Sequence, residues 1–330
     1  MSTRTPDVVL ADQFVITTHP KPPPNLDPAN NPLPTGLNVL IVGAARGIGA
    51  GIASAYAHAG AATLILTTRA SSLNKLAEVE ATVKQINPTI RVICAQVDIA
   101  SNASVVGLLE KVRNEVSRLD ILILNSGYSG PVITKITEGS PRDFQDVFDV
   151  NVQGTYLIAH HFIPLLIESE GAKTFLVVGS FAACIVRGHI ANTAYCVSKF
   201  AQVRLVEMLA EQFGGDEDGG LVVVGVHPGA VLTEMADLTT PDSFRKCEFA
   251  SGRLLERYCD VEADLKTVLT DDVGLCGAFL VWLSRERRTW LNGRLLSAKW
   301  DVDELVEKRG RIEDEDLLKF GYRVGTPSAS

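Results

Sequence analysis

The chain lacks several features that would have narrowed its class at once. Its six cysteines (Cys94, Cys184, Cys196, Cys247, Cys259 and Cys276) form no CxxC pair. That indicates neither a zinc ribbon nor a disulfide scaffold, and suits the reduced, mostly buried thiols of an intracellular protein. There is no HExxH motif or comparable cluster, and the adjacent His160 and His161 face different ways on a helix, so no metal site is expected. No apolar run reaches the ~18 residues of a membrane span. The first residues, MSTRTPDVVLADQF, lack the apolar core of a signal peptide, and a cytoplasmic location is the expectation. No long basic run exists either. Lys plus Arg is 31 against 39 Asp plus Glu, a net charge of −8, so neither nucleic acid nor a membrane is an expected partner.

What remains is the composition of a globular protein, 46% hydrophobic and 21% charged, with ample length to bury a core. The 330 residues allow two domains but also fit one α/β sheet domain. Residues 1–35 stand apart. Seven of the fifteen residues from Pro20 to Pro34 are proline. Such a segment favours extended polyproline II. It reads as an extension over the surface or a disordered arm, with a ligand for a proline-binding domain as a further reading.

From Leu37 strands and helices alternate. Strands are expected at Leu37–Val42, Ala62–Thr67, Ile90–Ala95, Asp120–Leu124, Thr174–Val178, Leu221–Val226 and Gly293–Ala298. Helices are expected at Gly47–His58, Ser71–Ile86, Ser101–Val116, Pro141–Ile167, Thr193–Phe213 and Thr270–Leu283. The alternation predicts a parallel sheet with helices on both faces. Two segments break it: an irregular stretch at about 232–266, read as a lid or binding loop, and a charged tail at 300–330 with helical spacing in Val302, Leu305 and Val306.

The chemistry sits at the strand ends. The first strand runs into Gly43-Ala44-Ala45-Arg46-Gly47-Ile48-Gly49. Glycines there permit a tight turn and close approach of a phosphate, and the helix that follows offers free N–H groups. The second strand ends in Thr67-Thr68-Arg69, with no acid for a ribose 2′-hydroxyl. Arg69, with Arg46 nearby, suits a 2′-phosphate instead, which argues for NADP(H). Alternatively both arginines are merely solvated. Asp98 either accepts from the adenine amino group or caps the next helix. Asn125, in Asn125-Ser126-Gly127, is a cofactor or loop-fixing residue.

Tyr195 and Lys199 stand four apart, on one helix face. A neighbouring ammonium favours a phenolate and lowers a phenol pKa by roughly 1–3 units, fitting Tyr195 for general acid/base work. Ser180 closes the fifth strand, where its hydroxyl can donate to a substrate oxygen. Asn151 lies inside a helix, its amide free to bond a backbone carbonyl or hold a water beside Lys199. The sixth strand ends in His227-Pro228-Gly229-Ala230-Val231-Leu232-Thr233, where Thr233 can bond a carboxamide.

In this order, from Leu37 to Ala298, the motifs resemble the short-chain dehydrogenase/reductase superfamily. The resemblance implies a single doubly wound domain over about 36–299 with a seven-stranded parallel sheet. It implies Tyr195 as proton donor and acceptor, Lys199 on the nicotinamide ribose, Ser180 on the substrate carbonyl and Asn151 in a proton relay through water. It implies cofactor contacts from Ile48, Asp98, Asn125, Val231 and Thr233, and a homodimer or homotetramer built on the helices of 141–167 and 193–213. The runs Trp290–Arg294 and Trp300–Glu304 are similar to those of filamentous-fungal members, many of which act in secondary metabolism. Val42 and Ser126 depart from the usual Thr and Ala, and the Leu295–Asp301 ending departs from the common Asp-Gly-Gly.

The resulting expectation is an NADP(H)-dependent oxidoreductase, a ketoreductase in broad class, acting on an apolar or aromatic carbonyl/alcohol pair. The pocket is expected from Phe181, Ala182, Cys184, His189, Tyr195 and the lid with Phe244, Phe249 and Leu254. Competing readings are a non-redox NADP(H)-binding protein and a lyase or cyclase on the same fold.

Overall fold

Alternation along each strand sends its odd and even residues to opposite faces of a buried sheet. Val39 and Ile41 enter one apolar core, Leu40 and Val42 the other. The computed structural model describes residues 11–133, 135–169, 171–185, 192–215, 219–235 and 269–322. Its strands are β1 (Asn38–Val42), β2 (Thr63–Thr68), β3 (Arg91–Gln96), β4 (Ile121–Leu124), β5 (Thr174–Val178), β6 (Val222–His227) and β7 (Leu295–Ser297). They form one all-parallel sheet in the order β3-β2-β1-β4-β5-β6-β7. Inner strands such as β1, β2, β4 and β5 are buried almost throughout, as parallel strands covered on both faces must be.

The helices are α1 (Gly47–His58), α2 (Leu73–Ile86), α3 (Asn102–Glu115), α4 (Pro141–Phe148), α5 (Gly154–Ile167), α6 (Thr193–Phe213), α7 (Leu275–Ser284), α8 (Val302–Glu307) and α9 (Arg309–Asp314). Ile52 and Tyr56 of α1, Leu76 of α2 and Phe279 of α7 fill the first core. Val105 and Leu108 of α3 with Ile158 and Phe162 of α5 fill the second. Ser101 caps α3, its hydroxyl accepting from the Ser104 N–H at 3.3 Å. No described helix is long and apolar enough to cross a membrane.

Two expected helices differ. Pro141–Ile167 is not one α-helix: a π-helical turn at Asp149–Gln153 separates α4 from α5. Such turns insert a residue into the ladder and concentrate at functional sites. The helix expected from Thr270 begins at Leu275. Thr270 instead pairs with Val231 in an antiparallel bridge, and Asp272 accepts from the Gly274 N–H at 2.7 Å.

Residues 11–34 run over the surface, as one reading has it, yet their apolar side chains reach the core. Leu26 is fully buried, and Val15 and Leu33 nearly so. Phe14 packs on Trp300 with ring centroids 5.3 Å apart. His19 N–H donates to the Lys299 carbonyl at 2.7 Å and Asp301 N–H to that of Thr17 at 3.1 Å. The proline-rich segment is thus stitched to the start of the tail, whose Val302, Leu305 and Ile312 are buried in turn.

Candidate active site

The sheet order reverses at β1, which has β2 on one side and β4 on the other. The crevice at the carboxyl ends of these strands is where doubly wound sheets bind ligands. The glycine turn lies there. Gly43 has φ +92°, and a Cβ on it would come within 2.5 Å of Ser126 Oγ. A Cβ on Gly49 would stand 1.9 Å from the Gly43 carbonyl oxygen. Gly43 and Ala44 donate to the Thr67 carbonyl at 3.1 and 2.8 Å. Asn125 Nδ2 donates to the Gly43 carbonyl at 2.7 Å, so Asn125 fixes the loop. Arg46 leads into α1, and no side chain caps that helix N-terminus. Free first-turn N–H groups, including that of Ile48, and a glycine turn without room for side chains fit a dinucleotide pyrophosphate.

At the rim beyond β2, Arg46 and Arg69 are both exposed. Arg69 makes no side-chain ion pair among the described residues, whereas Arg46 Nη1 lies 2.9 Å from Glu234 Oε2. The same carboxylate oxygen accepts from Lys75 Nζ at 2.7 Å. Lys75 and then Arg46 hold the Glu234 carboxyl below its usual range. Sequence reasoning missed both residues. Lys75 carries no motif signal, and Glu234 comes from the far side of the crevice, one residue after Thr233. A Cβ on Gly47 would meet Thr233 Cγ2 at 3.4 Å, so the turn after β6 lies against the glycine turn.

Asp98 is exposed, and its Oδ1 accepts from the Ala100 N–H at 3.1 Å while its own N–H donates to Ser104 Oγ at 2.9 Å. It therefore shapes the turn that leads to α3. Val231 is buried in the bridge to Thr270. Asp271 braces this bridge, accepting from the Ala230 N–H at 2.6 Å. His189 and residues 236–268, with Phe244, Phe249 and Leu254, lie outside the described residues. Phe181 is a packing residue, 3% exposed and stacked on His227 at 4.5 Å. Burial pushes His227 down to about 3, so it is neutral at ordinary pH.

Ser180, Asn151, Tyr195 and Lys199 converge. Asn192 caps α6 and anchors its first turn, its Nδ2 donating to the Ser129 carbonyl at 2.8 Å. Tyr195 and Lys199 follow on that helix. The Ser180 hydroxyl is hydrogen-bonded to the Tyr195 phenol and accepts from the Ala182 N–H at 3.0 Å. Lys199 Nζ lies 5.8 Å from the Tyr195 ring centroid and donates to the Val178 carbonyl at 3.0 Å. Asn151, in the π-helical turn, donates through Nδ2 to the Tyr128 carbonyl at 2.7 Å and to Ser198 Oγ at 2.9 Å. Its Oδ1 accepts from the Tyr128 N–H at 2.8 Å. A Cβ on Gly127 would meet Lys199 Nζ at 3.4 Å and Asn151 Oδ1 at 3.5 Å, so the turn after β4 closes over both.

One electrostatic expectation is corrected. Burial pushes the Tyr195 phenol up to about 12, although the bond from Ser180 works against this. Burial also brings Lys199 down to about 7. The desolvation that raises the phenol thus also weakens the positive charge expected to lower it.

The sequence profile described as short chain dehydrogenase matches residues 37–243. The short chain dehydrogenase pgmD of Aspergillus terreus is 34% identical over 320 residues, covering 94% of each chain. Among solved structures, a 7α-hydroxysteroid dehydrogenase complexed with NADH and 7-oxo glycochenodeoxycholic acid superposes with a TM-score of 0.63. It is 23% identical over 82% of this chain and 94% of its own. A short chain dehydrogenase of Shigella flexneri 2a str. 301, complexed with NADP, gives a TM-score of 0.62. It is 23% identical over 81% of this chain and 99% of its own.

Proposed function

The chain belongs to the short chain dehydrogenase family, and from that premise we propose that it interconverts a carbonyl and a secondary alcohol with NADP(H), using Tyr195 as general acid/base. The observation that carries this reading is the Ser180–Tyr195 hydrogen bond at the mouth of the crevice, with Lys199 four residues further on the same helix. NADP(H), when bound, supplies or accepts the hydride. In reduction, Ser180 and Tyr195 both donate to the substrate oxygen, and the Tyr195 proton passes to it as the alcohol forms. In oxidation the Tyr195 phenolate takes the hydroxyl proton.

Lys199 holds the nicotinamide ribose, and Asn151 fixes the loop beside it. Gly43, Gly47, Ile48 and Gly49 take the pyrophosphate, and Val231 and Thr233 border the nicotinamide. The preference for NADP(H) rests on Arg46, Arg69 and Lys75 around the end of β2, with Thr68 where an acid would select NAD(H). Glu234 neutralises two of these cations, and a 2′-phosphate competes with it for them.

The substrate is an apolar or aromatic ketone of fungal secondary metabolism. Supporting this are the fungal source of the relative and the Trp290–Arg294 and Trp300–Glu304 runs. A homodimer or homotetramer is supported by exposed apolar side chains on the outer helices, namely Phe144, Tyr156, Val197, Phe200 and Met208. Tyr195→Phe tests the chemistry: it removes the transferable proton and should abolish turnover while NADPH still binds.

A further inference from the structure

A third side chain joins Lys199 to Asn151. Gln202 lies three residues after Lys199 on α6 and is fully buried. Its Oε1 accepts from Lys199 Nζ at 2.8 Å. Its Nε2 donates to Thr155 Oγ1 at 2.8 Å and to the Asn151 backbone carbonyl at 3.3 Å. Thr155 Oγ1 donates to that same carbonyl at 2.7 Å. An aliphatic side chain would fill this space without the desolvation cost of a carboxamide, so the amide needs an account.

The surroundings of Lys199 supply one. Its ammonium is buried, with no carboxylate against it among the described residues. From β5 it meets the Val178 carbonyl, from its own helix Gln202 and the Tyr195 ring, and from the turn after β4 Gly127, which also faces Asn151 of the π-helical turn. Of these only Tyr195 titrates. The charge on Lys199 therefore depends on two neutral acceptors, the Val178 carbonyl and Gln202 Oε1.

We propose that Gln202 is a positioning residue for this site: its carboxamide holds the Lys199 ammonium at the crevice, ties it to the Asn151 carbonyl, and favours its charged form. The amide carries no exchangeable acid or base near neutrality, so this link orients without relaying a proton. The inference rests on the reading above that Lys199 holds the cofactor.

The test is NADPH affinity, followed by cofactor fluorescence from about pH 5 to about pH 10 on the full chain, with Tm measured alongside. Wild-type affinity should fall as pH rises through the Lys199 value of about 7. Gln202→Met keeps length and apolar contact but loses the acceptor. It should move that fall down by about one pH unit. Gln202→Glu keeps the acceptor and adds a negative charge, so it should move the fall upward. Thr155→Val loosens the far end of the amide and should shift the fall downward by less.

Opposite shifts from the two Gln202 variants support the proposal, since a purely structural role lowers Tm without moving the profile. Profiles that superimpose on wild type overturn it. If Gln202→Met does not fold, the Gln202→Glu and Thr155→Val profiles decide on the same terms. Lys199→Met separates the two levels. A flat profile there with unmoved Gln202 variants overturns the Gln202 role alone. An unchanged wild-type profile in Lys199→Met overturns the Lys199 reading, and this proposal with it.

Discussion

Lys199 Nζ stands 5.8 Å from the Tyr195 ring centroid, and both of its hydrogen bonds go to neutral oxygens, the Val178 carbonyl and Gln202 Oε1. The ammonium is therefore buried without a counter-ion among the described residues. A lysine whose folded-state pKa is depressed binds fewer protons folded than unfolded between the two values. Stability then rises with pH across that window, from about 7 towards the ordinary lysine value of about 10.4. Lys199→Met removes this dependence. Its Tm relative to wild type should be most favourable near the low end of the window and decline as pH rises towards about 10. Calorimetry at several pH values measures it, and a constant difference would contradict the burial account.

The rim cations predict a sign reversal. Arg46→Ala, Arg69→Ala and Lys75→Ala should each weaken NADPH binding by about tenfold, with little effect on NADH. Glu234→Gln frees Arg46 and Lys75 and should tighten NADPH binding instead. Titrations with both cofactors check this, and equal effects on NADH would place these cations outside the phosphate site.

Gly43 and Gly49 have no room for a side chain. In Gly49→Ala the new Cβ would meet the Gly43 carbonyl oxygen at 1.9 Å, a contact that forces the backbone to shift. NADPH affinity should fall by more than about tenfold. Asn125→Ala, which loses the 2.7 Å bond to the same carbonyl, should fall less. If both bind cofactor as wild type does, the turn is not the pyrophosphate cradle.

The proline-rich arm should behave as part of the core. Leu26 is fully buried, so Leu26→Ala is expected to cost about 2–4 kcal/mol. Exposed Ile16→Ala, on the same arm, should cost under about 0.5 kcal/mol. Urea denaturation of the two variants makes the comparison.

The sheet was legible because buried parallel strands are short continuous apolar runs, and all seven fell within a residue or two of their observed bounds. Helix α6 was legible to its ends. The π-helical turn was not, since Asp149–Gln153 keeps an apolar spacing compatible with an unbroken helix. The convergence of Ser180, Tyr195 and Lys199 could be read from the sequence because strand ends and i, i+4 spacing are local. Lys75 and Glu234 were missed because they meet across distant segments; Gln202 lies only three residues after Lys199, but its link to Thr155 is long-range and a glutamine in an amphipathic helix gives no signal of burial. The sign of the Tyr195 shift was misjudged for a related reason: spacing reveals a neighbouring charge, but desolvation depends on everything packed around the pair.

The most direct test of the central claim follows NADPH oxidation with a panel of apolar and aromatic ketones, wild type beside Tyr195→Phe. The account predicts turnover in wild type, a loss of about a hundredfold or more in the variant, and NADPH binding unchanged in both. Turnover in Tyr195→Phe at the wild-type rate would contradict it.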